Sequence, residues 1–320
     1  MKPTLAEIEG AAQVVYAHMP PTPQIAWPLL GRRAGCEVWV KHENHTPIGA
    51  FKVRGGLVFM DWLKRARPEV KGVITATRGN HGQSIAFAAR RFGITPVIVV
   101  PHDNNPEKNA AMVALGATLI EHGRDFDEAS VHARSLAAER GLFRLPSFDP
   151  HLVCGVATYA LEMFRAVPDL DAVYVPIGLG SGICGVIAAR DALGLKARVV
   201  GVVAAKADAY ARSFRDGRVV ETASAETLAD GMAVRVPDAA ALEIIRAGAD
   251  DVVALSEDAI LDAMAHFLTD THNLAEGAGA APLAALLASP RPPGGRNKVA
   301  LVLSGANVDR VLLARVLARP

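Results

Sequence analysis

One lysine gives the rest of the chain something to converge on. In residues 41–56, KHENHTPIGAFKVRGG, a strand ends near Lys41 and Pro47 and Gly49 break the chain. Residues 54–67 resume with apolar side chains at helical spacing (Leu57, Met60, Leu63). Lys52 therefore falls at a loop-to-helix junction, beside Phe51, Val53 and small residues. Partial desolvation there would lower its pKa and free an amine able to form a Schiff base with a carbonyl. Taken alone, such a lysine is ordinarily a solvated surface group.

A second chemical signal is the glycine run in residues 173–190, VYVPIGLGSGICGVIAAR. A strand ends in Gly178, Gly180, Gly182 and Gly185, and an apolar helix follows directly. Glycines let the backbone turn tightly and present several N–H groups, and the helix N-terminus adds positive potential, which suits a phosphate. The spacing Gly180-x-Gly182-x-x-Gly185 also fits the dinucleotide fingerprint. That reading needs an acidic residue at the end of the next strand, whereas residues 199–205 run into Lys206 with no carboxylate. No Gly-Lys-Ser/Thr closes a Walker loop either. A single phosphate fits best, and a strand-to-helix turn with no ligand is the alternative.

Two further junctions could take part. Residues 75–83, TATRGNHGQ, place Thr77, Arg78, Gly79, Asn80 and His81 where a helix begins and backbone N–H groups are free to hold a carboxylate. In isolation Asn80 would be a helix cap and His81 a surface or capping group. Residues 303–307, LSGAN, set Ser304 at the C-terminal edge of a strand, where ligands bind in open parallel sheets; alone, it would be an N-cap.

These junctions need a scaffold, and the chain supplies one. Strand signals at 72–75, 96–100 and 118–121 alternate with helical periods at 80–91, 105–115 and 126–140. The rhythm resumes with a helix at 152–165, a strand at 172–176, a helix at 182–193 and a strand at 199–204. It closes with 299–303 and 308–317. Such alternation predicts an α/β fold with parallel sheets covered by helices, and strands such as VIVV, AVYV and ALVL read as buried on both faces. GLFRLPSFDP at 141–150 separates two α/β blocks, while RPPGGR at 291–296 reads as a surface loop before the last strand.

Composition sets outer bounds. With 320 residues, 51 % hydrophobic and 21 % charged, the chain is globular and long enough for about two domains. A net charge of +1 without a dense Lys/Arg run gives no reason to expect nucleic acid or an anionic membrane. The N-terminal stretch is amphipathic and acidic without a signal core, and no segment reaches the ~18 apolar residues of a membrane span. Cys36, Cys154 and Cys184, odd in number and widely spaced, predict buried thiols in a reducing compartment, hence a cytoplasmic protein.

Together these pieces resemble the fold-type II pyridoxal-phosphate enzymes (tryptophan synthase β-like), specifically the serine/threonine dehydratase and serine racemase group. The resemblance covers nearly the whole chain in order: GAFKVRGG, TRGNHGQS, the glycine loop, LADG, AEGAGAAPLAAL and SGANVD. It implies pyridoxal 5'-phosphate as cofactor, with Lys52 carrying it as an imine, Phe51 packing against its ring and Asn80 bonding its phenolic oxygen. The loop Gly178, Leu179, Gly180, Ser181, Gly182 and Ile183 would cradle the phosphate. Ser304 would face the pyridine nitrogen, which a serine leaves neutral, and Glu276 matches a glutamate close to the cofactor. The substrate would sit on Thr77, Arg78, Gly79, Asn80 and His81. The implied architecture is a large domain from residues 1–70 and 149–320 with a small domain, 71–148, inserted, in an unregulated form expected to be a homodimer.

The implied reaction is elimination of water from a β-hydroxy amino acid of serine or threonine type, giving a 2-oxo acid and ammonia, with the Lys52 amine removing the α-proton. Departures from the family matter. Serine racemase has a serine, its second acid/base, where this chain has Arg78, and a guanidinium is a poor proton shuttle, so racemisation should be feeble. Arg78 could instead serve a bulkier substrate such as phenylserine or 3-hydroxyaspartate, or point to solvent. The divalent-metal site is also expected to be lost, since residues 201–210 keep Asp208 as their single carboxylate. Outside this class stand a nicotinamide oxidoreductase, resting on the three glycines alone, and a non-catalytic binding protein on the same scaffold.

Overall fold

The alternating pattern becomes ten strands in two sheets among residues 2–289 and 298–319, which a computed structural model describes. The strands are β1 (Gln24–Ala26), β2 (Glu37–His42), β3 (Gly72–Ala76), β4 (Thr95–Val100) and β5 (Thr118–Glu121). They continue with β6 (Phe143–Arg144), β7 (Ala172–Pro176), β8 (Arg198–Ala204), β9 (Asp251–Leu255) and β10 (Lys298–Leu303). One sheet has six strands in the order β1-β2-β10-β7-β8-β9, and the other four in the order β5-β4-β3-β6. Every pairing is parallel except that of β1 with β2. β3 and β7 are buried along their whole length, as strands covered by helices on both faces must be. The loop expected at 291–296 lies outside the described residues.

The parallel order puts the turns that follow β3, β7 and β10 at C-terminal strand edges, where residues 77–79, 177–180 and 304 sit. Sequence placed most elements within two or three residues, with one difference that bears on the site. The helix expected from residue 54 runs from Lys52 to Ala66. Its start is set by contacts from far along the chain: the Phe51 N–H donates to the Ser304 carbonyl at 3.0 Å, and Ala50 forms a bridge with Gly305. Phe51 is thereby held in the helical region, so the helix begins at the next residue.

Another helix lies against this one with almost no side chain between. A Cβ on Gly155, in the helix Pro150–Ala166, would come within 2.5 Å of the Arg54 carbonyl, and one on Gly55 within 2.8 Å of the Leu152 carbonyl. Beneath the contact lies a buried ionic network. Arg54 donates to both oxygens of Glu43 (2.7 and 2.9 Å) and both of Glu162 (2.6 and 3.0 Å), and to the hydroxyls of Thr158 and Thr22. Lys41 adds a bond of 2.6 Å to Glu162. Two cations thus face two carboxylates, and the cluster is neutral inside the protein. Of the three cysteines only Cys184 is buried; Cys36 is half-buried in the turn between the helix Pro28–Ala34 and β2, and Cys154 is half-buried where its thiol meets the Glu7 carbonyl of the N-terminal helix.

Replacing Arg54 with Ala strips two buried carboxylates of their partner and should cost about 3–5 kcal/mol. Urea unfolding measures it. A loss below about 1 kcal/mol, the range of an exposed ion pair, would show that the network does not hold this helix.

Candidate active site

Lys52, the first residue of its helix, points its amine across the cleft, where Nζ donates to Ser181 Oγ at 3.0 Å and lies 4.9 Å from the centre of the Phe51 ring. Burial lowers its pKa to about 8, with Glu276 opposing. A fraction of the amine is therefore neutral and nucleophilic near physiological pH.

Facing it is the glycine loop. Gly180, at φ 102°, occupies a left-handed conformation that favours glycine and caps the helix Ser181–Ala192. A Cβ on Gly178 would come within 2.3 Å of the Gly231 carbonyl, so only glycine lets these two turns meet. Tyr210 donates to the Leu179 carbonyl at 2.9 Å and Tyr159 to the Gly182 carbonyl at 3.2 Å, which fixes the loop from outside. The result is a cradle of backbone N–H groups at a helix N-terminus.

The third wall is the turn after β3. Thr77 Oγ1 accepts from the N–H groups of Gly79 (3.0 Å) and Gly82 (3.3 Å), shaping the turn ahead of the helix Asn80–Arg91. Asn80 does not cap that helix: Gly79 holds the capping position. Asn80 Nδ2 donates to Glu276 Oε1 at 2.7 Å, while its Oδ1 accepts from Asn307 Nδ2 at 2.8 Å. His81 is driven down to about 3 by burial, with the Lys52 charge adding to it, and stands as a neutral imidazole. Ser304 is buried at the end of β10 and caps no helix, the next one being Arg310–Leu317. Glu276 is 3 % exposed, and its Oε2 accepts no well-aligned hydrogen bond. Burial is the main force pushing its carboxyl up.

These groups share one cavity of about 490 Å³. Phe51, Lys52, Thr77, Arg78, Gly79, Asn80 and His81 line it, together with Gly178, Leu179, Gly180, Ser181, Gly182, Glu276 and Ser304. Ile183 does not: its side chain is buried in the core beneath the helix, because one residue past Gly182 the helix has turned it inward. Sequence reasoning passed over Lys108, Asp230, Asp127 and Arg235, which also line the cavity. Asp230 lies within the LADG motif, which offered a signal, whereas Lys108 looked like any lysine on an exposed helix. Asp208, the single carboxylate of residues 201–210, pairs with Arg212 at 2.8 Å.

A desolvated amine opposite a glycine-lined helix N-terminus, in the cleft of a doubly layered parallel fold, defines a site for a phosphorylated aldehyde. The residues fit pyridoxal phosphate: the turn that Gly178 and Gly180 make possible presents backbone N–H groups at a helix N-terminus, the cavity has room beside Phe51, and Glu276 Oε2 is a buried oxygen that accepts no well-aligned hydrogen bond. The chain matches the family described as "Pyridoxal-phosphate dependent enzyme" over residues 15–305, and it belongs to that family. It is 39% identical over 291 residues to an L-threonine ammonia-lyase of Geobacter sulfurreducens, covering 91% of this chain and 72% of the other. To the L-threo-3-hydroxyaspartate ammonia-lyase of Saccharomyces cerevisiae it is 31% identical over 309 residues, with 96% and 94% covered. The structure of maize serine racemase superposes with a TM-score of 0.92 at 26% identity over 99% of this chain and 97% of that one. The nicotinamide alternative is set aside by this membership.

Because the Lys52 amine is depressed, uptake of pyridoxal phosphate by the cofactor-free protein should speed up with rising pH and reach its half-maximum near 8. Stopped-flow visible absorbance follows it. A midpoint at the ordinary lysine value of 10.5 would contradict the desolvation described here.

Proposed function

We propose that the protein is a pyridoxal-phosphate-dependent dehydratase that converts a β-hydroxy-α-amino acid to a 2-oxo acid and ammonia by α,β-elimination. The carrying observation is the convergence of Lys52, the loop 178–182, the turn 77–81 and Ser304, all from distant segments, on one cavity. The ammonia-lyases among the relatives support the same reading. We take the functional units to be residues 1–70 with 149–320 and an inserted 71–148, in keeping with the two sheets, and the cavity to open between them.

When bound, the cofactor supplies the electron sink that makes an α-proton removable. The chain supplies everything else. Lys52 holds the cofactor and, once released by the substrate amine, accepts the α-proton at Nζ, a task suited to its lowered pKa. The amides of the turn 77–81 bind the substrate carboxylate at the first turn of the helix Asn80–Arg91. Asn80 has one amide hydrogen left after its bond to Glu276, which would be available to the ring oxygen of the cofactor. The Ser304 hydroxyl would serve the ring nitrogen and, being uncharged, would leave it without a full charge. The α-proton and the β-hydroxyl leave as water, and the released enamine takes up water to give the 2-oxo acid and ammonia.

One observation favours a dicarboxylic substrate within this class. Besides Lys52, four cationic side chains line the cavity: Lys108 pairs with Asp230, Arg124 with Glu128 and Arg235 with Asp127, whereas Arg78 has no acidic partner among the described residues. An exposed, unpaired guanidinium on the carboxylate-binding turn suits a second carboxylate, as in 3-hydroxyaspartate.

The test is ammonia and 2-oxo acid release from serine, threonine, phenylserine and 3-hydroxyaspartate. Release from at least one is expected, and Lys52→Ala should abolish it; persistence in that variant would refute the role of Lys52. Arg78→Ala should raise KM for 3-hydroxyaspartate by about tenfold, the worth of one charged hydrogen bond, with a smaller effect on threonine. Equal effects on both would remove the dicarboxylic reading.

A further inference from the structure

Lys108 belongs to none of the recognised motifs, yet it is 7 % exposed and turned into the cavity. It lies on the helix Pro106–Ala114, which Asn105 caps by accepting from the Lys108 and Glu107 N–H groups. Its stem covers the turn that carries Asn80: a Cβ on Gly79 would meet Lys108 Cδ at 2.8 Å. Its ammonium crosses the cleft to Asp230. Asp230 opens a short helical turn, Asp230–Met232, and a Cβ on the adjacent Gly231 would lie 3.8 Å from Glu276 Oε1. Lys108 and Asn80 come from the side of the four-stranded sheet, Asp230 and Glu276 from that of the six-stranded sheet. Lys108 thus pairs with one carboxylate whose neighbour in sequence, Gly231, lies against a second and buried one, and the Oε2 of that second carboxylate accepts no well-aligned hydrogen bond.

We propose that Lys108 is a positioning residue that closes the cleft through Asp230 and, by its charge, sets whether Glu276 is ionised and so which way the Asn80 amide faces. The assignment rests on the pyridoxal-phosphate reading of the site. Its physical basis is that Asp230 and Glu276 repel one another in a region shielded from water, and Lys108 is the group that offsets both. Removing its charge leaves the carboxylates to share their neighbourhood, and Glu276 then takes a proton. A protonated Glu276 keeps an acceptor oxygen but loses its charge, and this weakens its hold on the Asn80 N–H, the other end of that amide being tied to Asn307. The groups around Glu276 act on it in both directions. Burial pushes it up and Lys108 pulls it down most strongly; Asp230 pushes it up, while the Asn80 side chain and the Asn307 amide pull it down. Lys52 bears on it from across the cavity, and Asp309 stands with Asp230 and Glu276 in holding Lys108 charged against its burial.

The test compares Lys108→Met, Lys108→Arg and Asp230→Asn as holoenzymes, reading the visible spectrum of bound cofactor against pH beside kcat and KM. Lys108→Met should move the acid-side transition to higher pH by about one pH unit or more, the effect of losing a neighbouring opposite charge, and should raise KM. Lys108→Arg should restore the transition, and Asp230→Asn should move it to lower pH. Transitions that coincide with wild type in both Lys108→Met and Asp230→Asn, or that move the same way, would overturn the assignment. Should Lys108→Met not fold, the direction of the Asp230→Asn shift alone decides. A wild type that takes up no pyridoxal phosphate overturns the functional reading and this assignment together, whereas normal uptake with unshifted variants overturns this assignment alone.

Discussion

The buried guanidinium of Arg54 is the interaction from which the rest of the site is built. It lies two residues beyond Lys52, and its five donors are shared between Glu43 near the N-terminal strands, Glu162 on the helix Pro150–Ala166, and two threonine hydroxyls. Burial by itself would push Glu162 up, yet Arg54 and Lys41 hold it below the usual carboxylate range, so the network stays ionised and directional. A planar fork with fixed geometry admits few arrangements of its partners. The first turn of the lysine-bearing helix is thereby locked, and the amine it carries is aimed at the glycine loop.

Desolvation then acts with opposite sign on neighbouring groups. It lowers Lys52 and His81 and raises Glu276, in each case disfavouring the charged form. The cavity thus offers a partly neutral amine, a neutral imidazole and a carboxyl drawn toward neutrality, although most of its paired charges sit at the rim. The pairs Lys108 with Asp230 and Arg235 with Asp127 each join the two sides of the cleft. Asn80 with Glu276 and Asn307 is a third such tie. The same contacts that tie the two sides of the cavity thus also place charge beside its buried groups.

How much of this was legible depends on whether the signal was local. Strands such as β4 and β7 announce themselves by continuous apolar runs, and the helix Asn80–Arg91 by its period; both appeared where expected. β1 and β6, three and two residues long, carry too little pattern to read, and β9 is masked by its mixed burial. The helix Gly277–Ala288 is apolar on every face because it is buried on every face, so it shows no period to detect. That the Ile183 side chain enters the core, while its glycine neighbours line the cavity, could not be read from the motif, since the point at which a helix side chain rotates from loop to core is not written there.

The sequence by itself determined the α/β class, the glycine loop and the lysine, and the order of the motifs was enough to indicate the cofactor class, because each depends on residues within a few positions of one another. Which groups face Lys52 was decided only by the tertiary structure. Lys108, Asp230 and Glu276 are separated by 122 and 46 positions and meet through packing of two sheets against shared helices. A charge's ionisation depends on what surrounds it in space, and no spacing along the chain encodes that field.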